Sequence, residues 1–231
     1  MVQLYSRNQL CLRFAWRRNQ NPSKMVSMPW PVTHILTAES YYDPFFSHLD
    51  HKAFIIGTCF PDIRYPAKLG RHSTHPKNLS LSEIQEQSAF TAGLSFHSFV
   101  DEMWNAFVLR DNHHIFGVIP HDKPMIHTMK VLQDKYLYKK SNDWSKIAYY
   151  FEGILPEEND FGVSKEMVGR WHQMLADYLR KPPNIDDLDM LSISLDLTMI
   201  NKIEEYYRAF NDHNALKRVL LKFYDQVLHL H

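Results

Sequence analysis

The segment Ala89–Trp104 constrains the fold more than any other part of the chain. It reads AFTAGLSFHSFVDEMW and is apolar nearly all round when it is placed on a helix. Ser80, followed three residues later by a glutamate, gives a capping-box pattern, and we expect the helix to begin there and to run to about Leu109. A helix without a broad polar face needs neighbouring helices on most of its sides. The sequence therefore predicts an all-α fold, a single multi-helix domain whose buried central helix carries His97 and Asp101.

The rest of the chain also has a helical pattern, because glycine is scarce, at seven residues, and strand-like alternation is rare. Residues 1–27 differ, since they hold five positive charges and no acidic residue. We expect them to be a basic tail outside the packed domain, or the result of a start codon placed too early, and we expect the domain to span residues 28–231. The further helices predicted are Thr33–Tyr42 with Thr33 as a candidate N-cap, Pro124–Tyr138, Asp143–Gly153, a helix capped by Ser164, Asp186–Phe210 and Asp212–Leu230.

Charge and cysteine content exclude several classes of protein. The 26 basic residues balance the 26 acidic ones, which argues against nucleic-acid binding through a broad basic surface. Two cysteines cannot build a disulfide scaffold or a cysteine-based zinc site. No run approaches the ~20 apolar residues of a membrane-spanning helix, and no secretory signal is recognised. We therefore expect a cytoplasmic protein without a transmembrane segment.

His97 and Asp101 are the first candidates for a functional site. They are four residues apart, so their side chains lie on one helix face, one turn apart. A charged carboxylate inside an apolar helix is costly unless it is paired or bound to a metal, and imidazole and carboxylate are both zinc ligands. The alternative is an ordinary His–Asp hydrogen bond in the core, and the pair alone does not decide between the two.

Further candidate metal ligands precede this pair in the chain. His34 lies in the first turn of the first predicted helix, and Asp62 follows an apolar run directly. His75 lies in the next loop, where His72 competes with it for the same role. Histidines on loops that a rigid scaffold positions often complete a metal site.

The order of these residues resembles that of the zinc-dependent phospholipase C family, whose all-α scaffold is shared with the fungal zinc nucleases. The resemblance covers Trp30 to Trp104, about a third of the chain. It implies that four residues hold a first zinc ion and that one of them bridges to a second ion, which His34 also contacts. The four residues are Asp62, His75, His97 and the bridging Asp101.

The resemblance also bears on how many metal ions the site would hold. A third zinc ion in the family uses two histidines, the second followed four residues later by a glutamate. His113 and His127 have a similar separation, but position 131 is Val131. We therefore expect one or two zinc ions, with His72, His113 and His127 as alternate ligands.

Such a site is typical of enzymes that hydrolyse phosphate esters, because a zinc-bound water becomes a nucleophile near neutral pH. Asp62 is the candidate general base toward the attacking water. Arg64 and Arg71 are candidate phosphate-binding residues, since a guanidinium group matches phosphate oxygens in pairs. The expected substrate is a phosphodiester, with a phospholipid head group among the candidates.

Two other interpretations remain open at this stage. His121 and Asp122 form a His-Asp pair of the kind found in HD-type phosphohydrolases, but prolines on both sides favour a loop over the helix that those enzymes use. The second alternative is a non-catalytic helical protein that binds metal, or a partner, through a degenerate site of the same plan.

Overall fold

The computed structural model describes residues 30–108, 112–141, 143–185 and 195–228. Within these residues the chain is helical and has no β-strand, and the helices pack into one domain around a common core, so the predicted all-α fold is confirmed. The predicted basic tail, residues 1–27, lies outside the described residues. The α-helices are α1 Pro31–Tyr41, α2 His51–Cys59, α3 Arg71–Thr74, α4 Leu81–Gln85, α5 Ala89–Ala106, α6 Lys123–Leu137, α7 Trp144–Tyr150, α8 Lys165–Leu179, α9 Leu197–Phe210 and α10 Asn214–Leu228.

Helices α2 and α5 form the closest helix pair around the site. Gly57 of α2 faces the backbone of Phe90, and Gly93 of α5 faces the backbone of Phe54 and Thr58. A Cβ atom at either glycine would overlap the carbonyl oxygen of the other helix. Because both residues lack a side chain, the two backbones approach closely and bring the C-terminal end of α2 beside the middle of α5.

The single helix predicted from Ser80 to Leu109 is wrong, because the chain forms α4 and then a separate α5. The capping box at Ser80 does form, with reciprocal bonds to Glu83. The helix then stops after Gln85, and Ser88 takes an extended backbone conformation as the N-cap residue of α5. Serine favours such a position, so a second helix start follows the first within eight residues. The predicted end, Leu109, lies outside the described residues.

Helix α1 begins differently from the prediction. Thr33 is not its N-cap, because the helix starts at Pro31, whose fixed φ suits the first helical position. The side chain of Asp134 on α6 binds the free N–H groups instead, accepting from Val32 N at 3.0 Å and from Thr33 N at 2.9 Å. This contact fixes the first turn of α1, and His34 comes next in the chain.

The C-terminal helices cover one side of α6, which packs against α1, α9 and α10. The predicted helix Asp186–Phe210 is seen only from Leu197, where Asp196 caps α9 by accepting from Met199 N, and residues 186–194 lie outside the described part. The last helix, α10, starts two residues later than predicted. In the described ranges, no helix is both long enough and apolar enough to cross a bilayer.

Candidate metal centre

Five predicted ligand residues come together from four parts of the chain. His34 lies in the first turn of α1, Asp62 in a 3-10 turn (Phe60–Arg64) directly after α2, and His75 at the end of α3. His97 and Asp101 lie one turn apart on α5. All except Asp62 are at most 2% exposed, whereas the Asp62 side chain is 20% exposed. The carboxylate of Asp62 therefore marks the side of the site that faces solvent.

The hydrogen bond of His97 to the backbone determines its tautomer. Its Nδ1 lies 2.8 Å from the carbonyl oxygen of Thr58, in the last turn of α2. A carbonyl oxygen only accepts, so Nδ1 carries the proton and donates it. Nε2 of His97 therefore carries a lone pair and is directed toward the carboxylates of Asp62 and Asp101, at 4.0 Å and 3.9 Å.

A threonine hydroxyl determines the tautomer of His75. Thr74 donates its hydroxyl proton to the carbonyl oxygen of Pro61 over 3.0 Å, and Nδ1 of His75 lies 2.8 Å from the same hydroxyl oxygen. Because the one hydroxyl proton is already used, Nδ1 of His75 must donate to Thr74. This leaves the lone pair on Nε2, which lies 3.9 Å from Asp62 Oδ1 and 3.8 Å from Asp101 Oδ2. Metal-binding histidines are commonly held by such a bond at the second ring nitrogen.

The ligand atoms form two overlapping groups, each within 4.8 Å. One group joins Asp62, His75 and His97, and the other joins His34, His97 and Asp101. Ligand atoms around a tetrahedral zinc ion lie ~3.4 Å apart, given bonds of ~2.1 Å. Within the first group, Asp62 Oδ1 lies 3.9 Å and 4.0 Å from the two imidazole nitrogens, and these distances need to shorten by only about half an ångström. The donor types and their spacing therefore fit zinc.

The two groups share His97, whose Nε2 has a single lone pair and can therefore bind only one ion. His34 is stacked on His97 with ring centroids 3.9 Å apart and planes 9° apart, and its Nε2 lies 3.6 Å from Asp101 Oδ1. One ion bound by His97 therefore belongs to one group or the other. A second ion would depend on His34 and Asp101, whose two carboxylate oxygens face opposite sides.

Several of these buried atoms have no hydrogen bond to the described part of the chain. They are Asp62 Oδ1, His75 Nε2, His97 Nε2 and Asp101 Oδ1. Native proteins rarely leave buried polar atoms without a partner. Asp62 Oδ1 faces Nε2 of both His75 and His97, whereas Asp101 Oδ1 faces His34. Atoms with free lone pairs in such positions could serve as ligands of a metal cation.

Burial favours the neutral state of both kinds of ligand in the metal-free protein. Burial, with smaller effects of His97 and Arg71, lowers the pKa of His75 far below its usual range, so this imidazole is neutral and ready to bind a metal. Burial raises the pKa of Asp101 to about 6, although His97 and Arg71 oppose the rise. A divalent cation would reverse the effect of burial on Asp101 by stabilising the carboxylate.

The two candidate phosphate-binding arginines lie at the edge of the site. Arg71 donates from Nη2 to Asp101 Oδ2 over 2.7 Å and is 25% exposed. Arg64 lies with its guanidinium carbon 3.9 Å from the ring centre of Tyr65. Arg71 therefore holds one carboxylate in place, and neither arginine is fully covered by protein.

The alternate ligands do not join either group. His72 is exposed on α3, which favours His75 for the loop position, and His113 is exposed at the start of a 3-10 turn. His127 lies half-buried on α6, and burial lowers its pKa to about 3. Among the described residues, none of the three belongs to a group of metal-binding side chains.

The His121-Asp122 pair has a structural explanation. Asp122 is the N-cap of α6 and accepts from Met125 N at 2.9 Å, while its other carboxylate oxygen accepts from the Tyr206 hydroxyl. His121 is exposed, and the pair belongs to neither ligand group within the described ranges. The HD-type interpretation therefore finds no support in the geometry.

Sequence reasoning missed the residues that orient and surround the ligands. The hydroxyl of Thr74 and the carbonyl of Thr58 fix two histidine tautomers. Lys130 on α6 is buried within electrostatic range of Asp62 and Asp101. A carbonyl oxygen leaves no mark in sequence, and a lysine on an amphipathic helix normally indicates an exposed face. Only Thr74, directly before His75, could have been noticed.

No family model matches the chain, and comparison with curated proteins and with solved structures likewise gives no match.

Proposed function

We propose that the chain is a zinc-dependent hydrolase of phosphate esters, as the order of its candidate ligands led us to expect. The observation that carries the proposal is the convergence of two oriented histidines and two carboxylates, each with an unpartnered atom, in one buried cluster. Zinc is the ion that best suits this mixture of imidazole and carboxylate donors. Asp62, His75, His97 and Asp101 would hold the first ion, and His34 with Asp101 a second.

Zinc bound there would supply the acidity that converts water into a nucleophile near neutral pH. The protein residues would accept the proton of the attacking water and bind the phosphate group. Asp62, the most exposed of the five, is placed to accept a proton from the attacking water. Arg71 and Arg64 present guanidinium groups at the edge where a phosphodiester would enter, and each can bind a phosphate oxygen.

The alternative is a metal site that only stabilises the fold, as in a non-catalytic relative of the same plan. The burial of four of the five ligand residues to 2% exposure or less favours this alternative, because structural zinc sites are closed by protein ligands, whereas catalytic sites keep one position open. The partial exposure of Asp62 favours the enzyme.

Metal analysis is the test to make first. Wild type grown with zinc should carry about one or two zinc ions per chain, and the double variant His97→Ala/Asp101→Ala should carry none. His172→Ala is the matched control, because His172 is as buried as His97 but pairs with Glu158 outside the site. The His172→Ala variant should keep its zinc. A wild type without zinc would overturn the proposal.

Activity then separates the enzyme from the structural site. Zinc-loaded wild type should hydrolyse bis(p-nitrophenyl) phosphate, and short-chain phosphatidylcholine tests the phospholipid head group as a substrate. Asp62→Asn should lower kcat by ~100-fold or more if Asp62 is the general base. Zinc at full occupancy without hydrolysis of any phosphodiester would favour the structural alternative.

A further inference from the structure

Lys130 is a buried cation that the ligand set does not use. It lies in the middle of α6 and is 3% exposed, although lysine is almost never fully buried without a partner. No hydrogen bond or ion pair joins it to any residue in the described ranges. A lysine buried to this extent without a partner is unusual, so its presence calls for an explanation.

The position of Lys130 is fixed by the packing of α6 on α1. One turn further along α6, Asp134 binds the first turn of α1 at Val32 and Thr33, next to His34. Lys130 and Asp134 are four residues apart and therefore share a helix face. This face of α6 is directed toward the helix start that presents His34 to the metal centre.

The charges around Lys130 belong to the same site. Burial lowers the pKa of Lys130 to about 8, whereas the carboxylates of Asp62 and Asp101 raise it and the guanidinium groups of Arg64 and Arg71 lower it. The ammonium is therefore close enough to interact with both candidate ligand carboxylates, yet it forms an ion pair with neither.

We infer that Lys130 binds a phosphate oxygen of the substrate, from the α6 side of the metal centre. This inference rests on the proposed function and adds a third phosphate-binding residue to Arg64 and Arg71. A phosphate ester carries negative charge into a cluster whose two carboxylates would be neutralised by metal, and it needs cations around it. Arg71 and Arg64 supply them at the solvent edge, and Lys130 supplies one from the buried side. The substrate class is thus an anionic phosphate ester rather than a neutral ester or an amide.

Binding of inorganic phosphate, the group common to all such substrates, tests the inference without catalysis. Isothermal titration calorimetry on zinc-loaded protein compares wild type with Lys130→Met, which keeps the length of the side chain and removes its charge. We expect phosphate to bind roughly 10- to 100-fold more weakly to the variant. Lys130→Arg, which restores the charge, should recover part of the affinity.

Lys135→Met is the matched control on the same helix. Lys135 donates to Tyr207 Oη and Asn211 Oδ1, away from the site, so this variant should bind phosphate like wild type. Zinc content and melting temperature are measured for all variants, so that a general loss of structure is recognised. If Lys130→Met unfolds, Lys130→Arg tests the inference instead. Its phosphate binding should be detectable but weaker than that of wild type.

The outcomes separate this inference from the proposed function. Phosphate binding to Lys130→Met within twofold of wild type, or no phosphate binding to zinc-loaded wild type, overturns the role of Lys130. Phosphate binding that depends on Lys130 in a protein that cleaves no phosphodiester supports the Lys130 site and refutes the hydrolase. A wild type that binds no zinc refutes both before phosphate is added.

Discussion

At the scale of single residues, the candidate site depends on groups that are not themselves candidate ligands. The Thr74 hydroxyl donates to the Pro61 carbonyl and accepts from Nδ1 of His75, so the lone pair of His75 lies on Nε2. Thr74→Val keeps the shape of the side chain but removes both bonds. We expect the zinc affinity to fall ~10- to 100-fold, as for other partners of metal-binding histidines. Competition with a chromogenic zinc chelator measures the change.

The control for this prediction is another buried threonine. Thr128 on α6 donates to the carbonyl of Pro124 and lies close to that of Ile203. Thr128→Val therefore removes a buried hydroxyl at a comparable cost in stability, but it should leave zinc affinity unchanged. Equal affinities for wild type and Thr74→Val would show that the tautomer of His75 needs no help from Thr74.

The sequence predicted which side chains come together better than it predicted what surrounds them. The four-residue spacing of His97 and Asp101 follows from helix geometry alone, and the preference for His75 over His72 agrees with their burial. The position of Lys130 was not predictable, since it depends on how α6 packs against α1. Tertiary packing decides whether a helical lysine lies in solvent or inside.

At the scale of helices, the centre depends on the close approach of α2 and α5. Gly93→Ala would place a Cβ atom against the backbone of Phe54 and Thr58, which cannot move like a flexible side chain. We expect a loss of roughly 2–3 kcal/mol in the free energy of unfolding. The bond from His97 to the Thr58 carbonyl should lengthen, with weaker zinc binding. Chemical denaturation and zinc titration measure the two effects.

Gly169 provides the opposite case on α8. It also lies inside a helix, but a Cβ atom there would meet no atom within 4 Å among the described residues. Gly169→Ala should therefore stabilise the protein by roughly 0.5–1 kcal/mol, because alanine is the better helix former. A destabilisation as small as a few tenths of a kcal/mol in Gly93→Ala would contradict the importance of the close approach.

Helix positions were predicted more reliably than helix ends. The capping box at Ser80 formed, yet residues 86–88, which are Glu, Gln and Ser, contain no glycine or proline to mark a break, and the second start at Ser88 was missed. The start of α1 was misplaced for a different reason. Its N–H groups are bound by Asp134, about a hundred residues later in the chain, and local sequence does not record such a partner.

At the scale of the whole molecule, the carboxylate of Asp134 joins three helices. It lies on α6, accepts from the first turn of α1, and also accepts from the Tyr178 hydroxyl of α8 at 3.1 Å. Asp134 is 0% exposed. Burial raises its pKa from 3.8 to about 7, although the hydrogen bonds from Thr33, Val32 and Tyr178 oppose the rise. The stability of the fold should therefore depend on pH through this residue.

The sign of that dependence follows from proton binding. Between the unfolded pKa near 3.8 and the folded pKa of about 7, the folded state holds a proton on Asp134 that the unfolded state has lost. Stability therefore falls as pH rises through this range. The full shift corresponds to roughly 4 kcal/mol, at ~1.4 kcal/mol per pKa unit. Below pH 4 and above pH 7 the contribution is constant.

Comparison with Asp134→Asn isolates this contribution, because the amide does not titrate while every other group, including Asp101, is common to both proteins. Free energies of unfolding are measured with chelator present at pH 4.5, 6 and 8. We expect the stability of wild type relative to Asp134→Asn to decrease steadily over this range. An advantage of wild type that instead grows with pH would mean that the four hydrogen bonds, including that from the Thr33 hydroxyl at 2.7 Å, outweigh burial and hold Asp134 as a carboxylate. The hydrogen bonds that join α1, α6 and α8 through Asp134 would then be strongest at neutral pH, where the carboxylate is fully ionised.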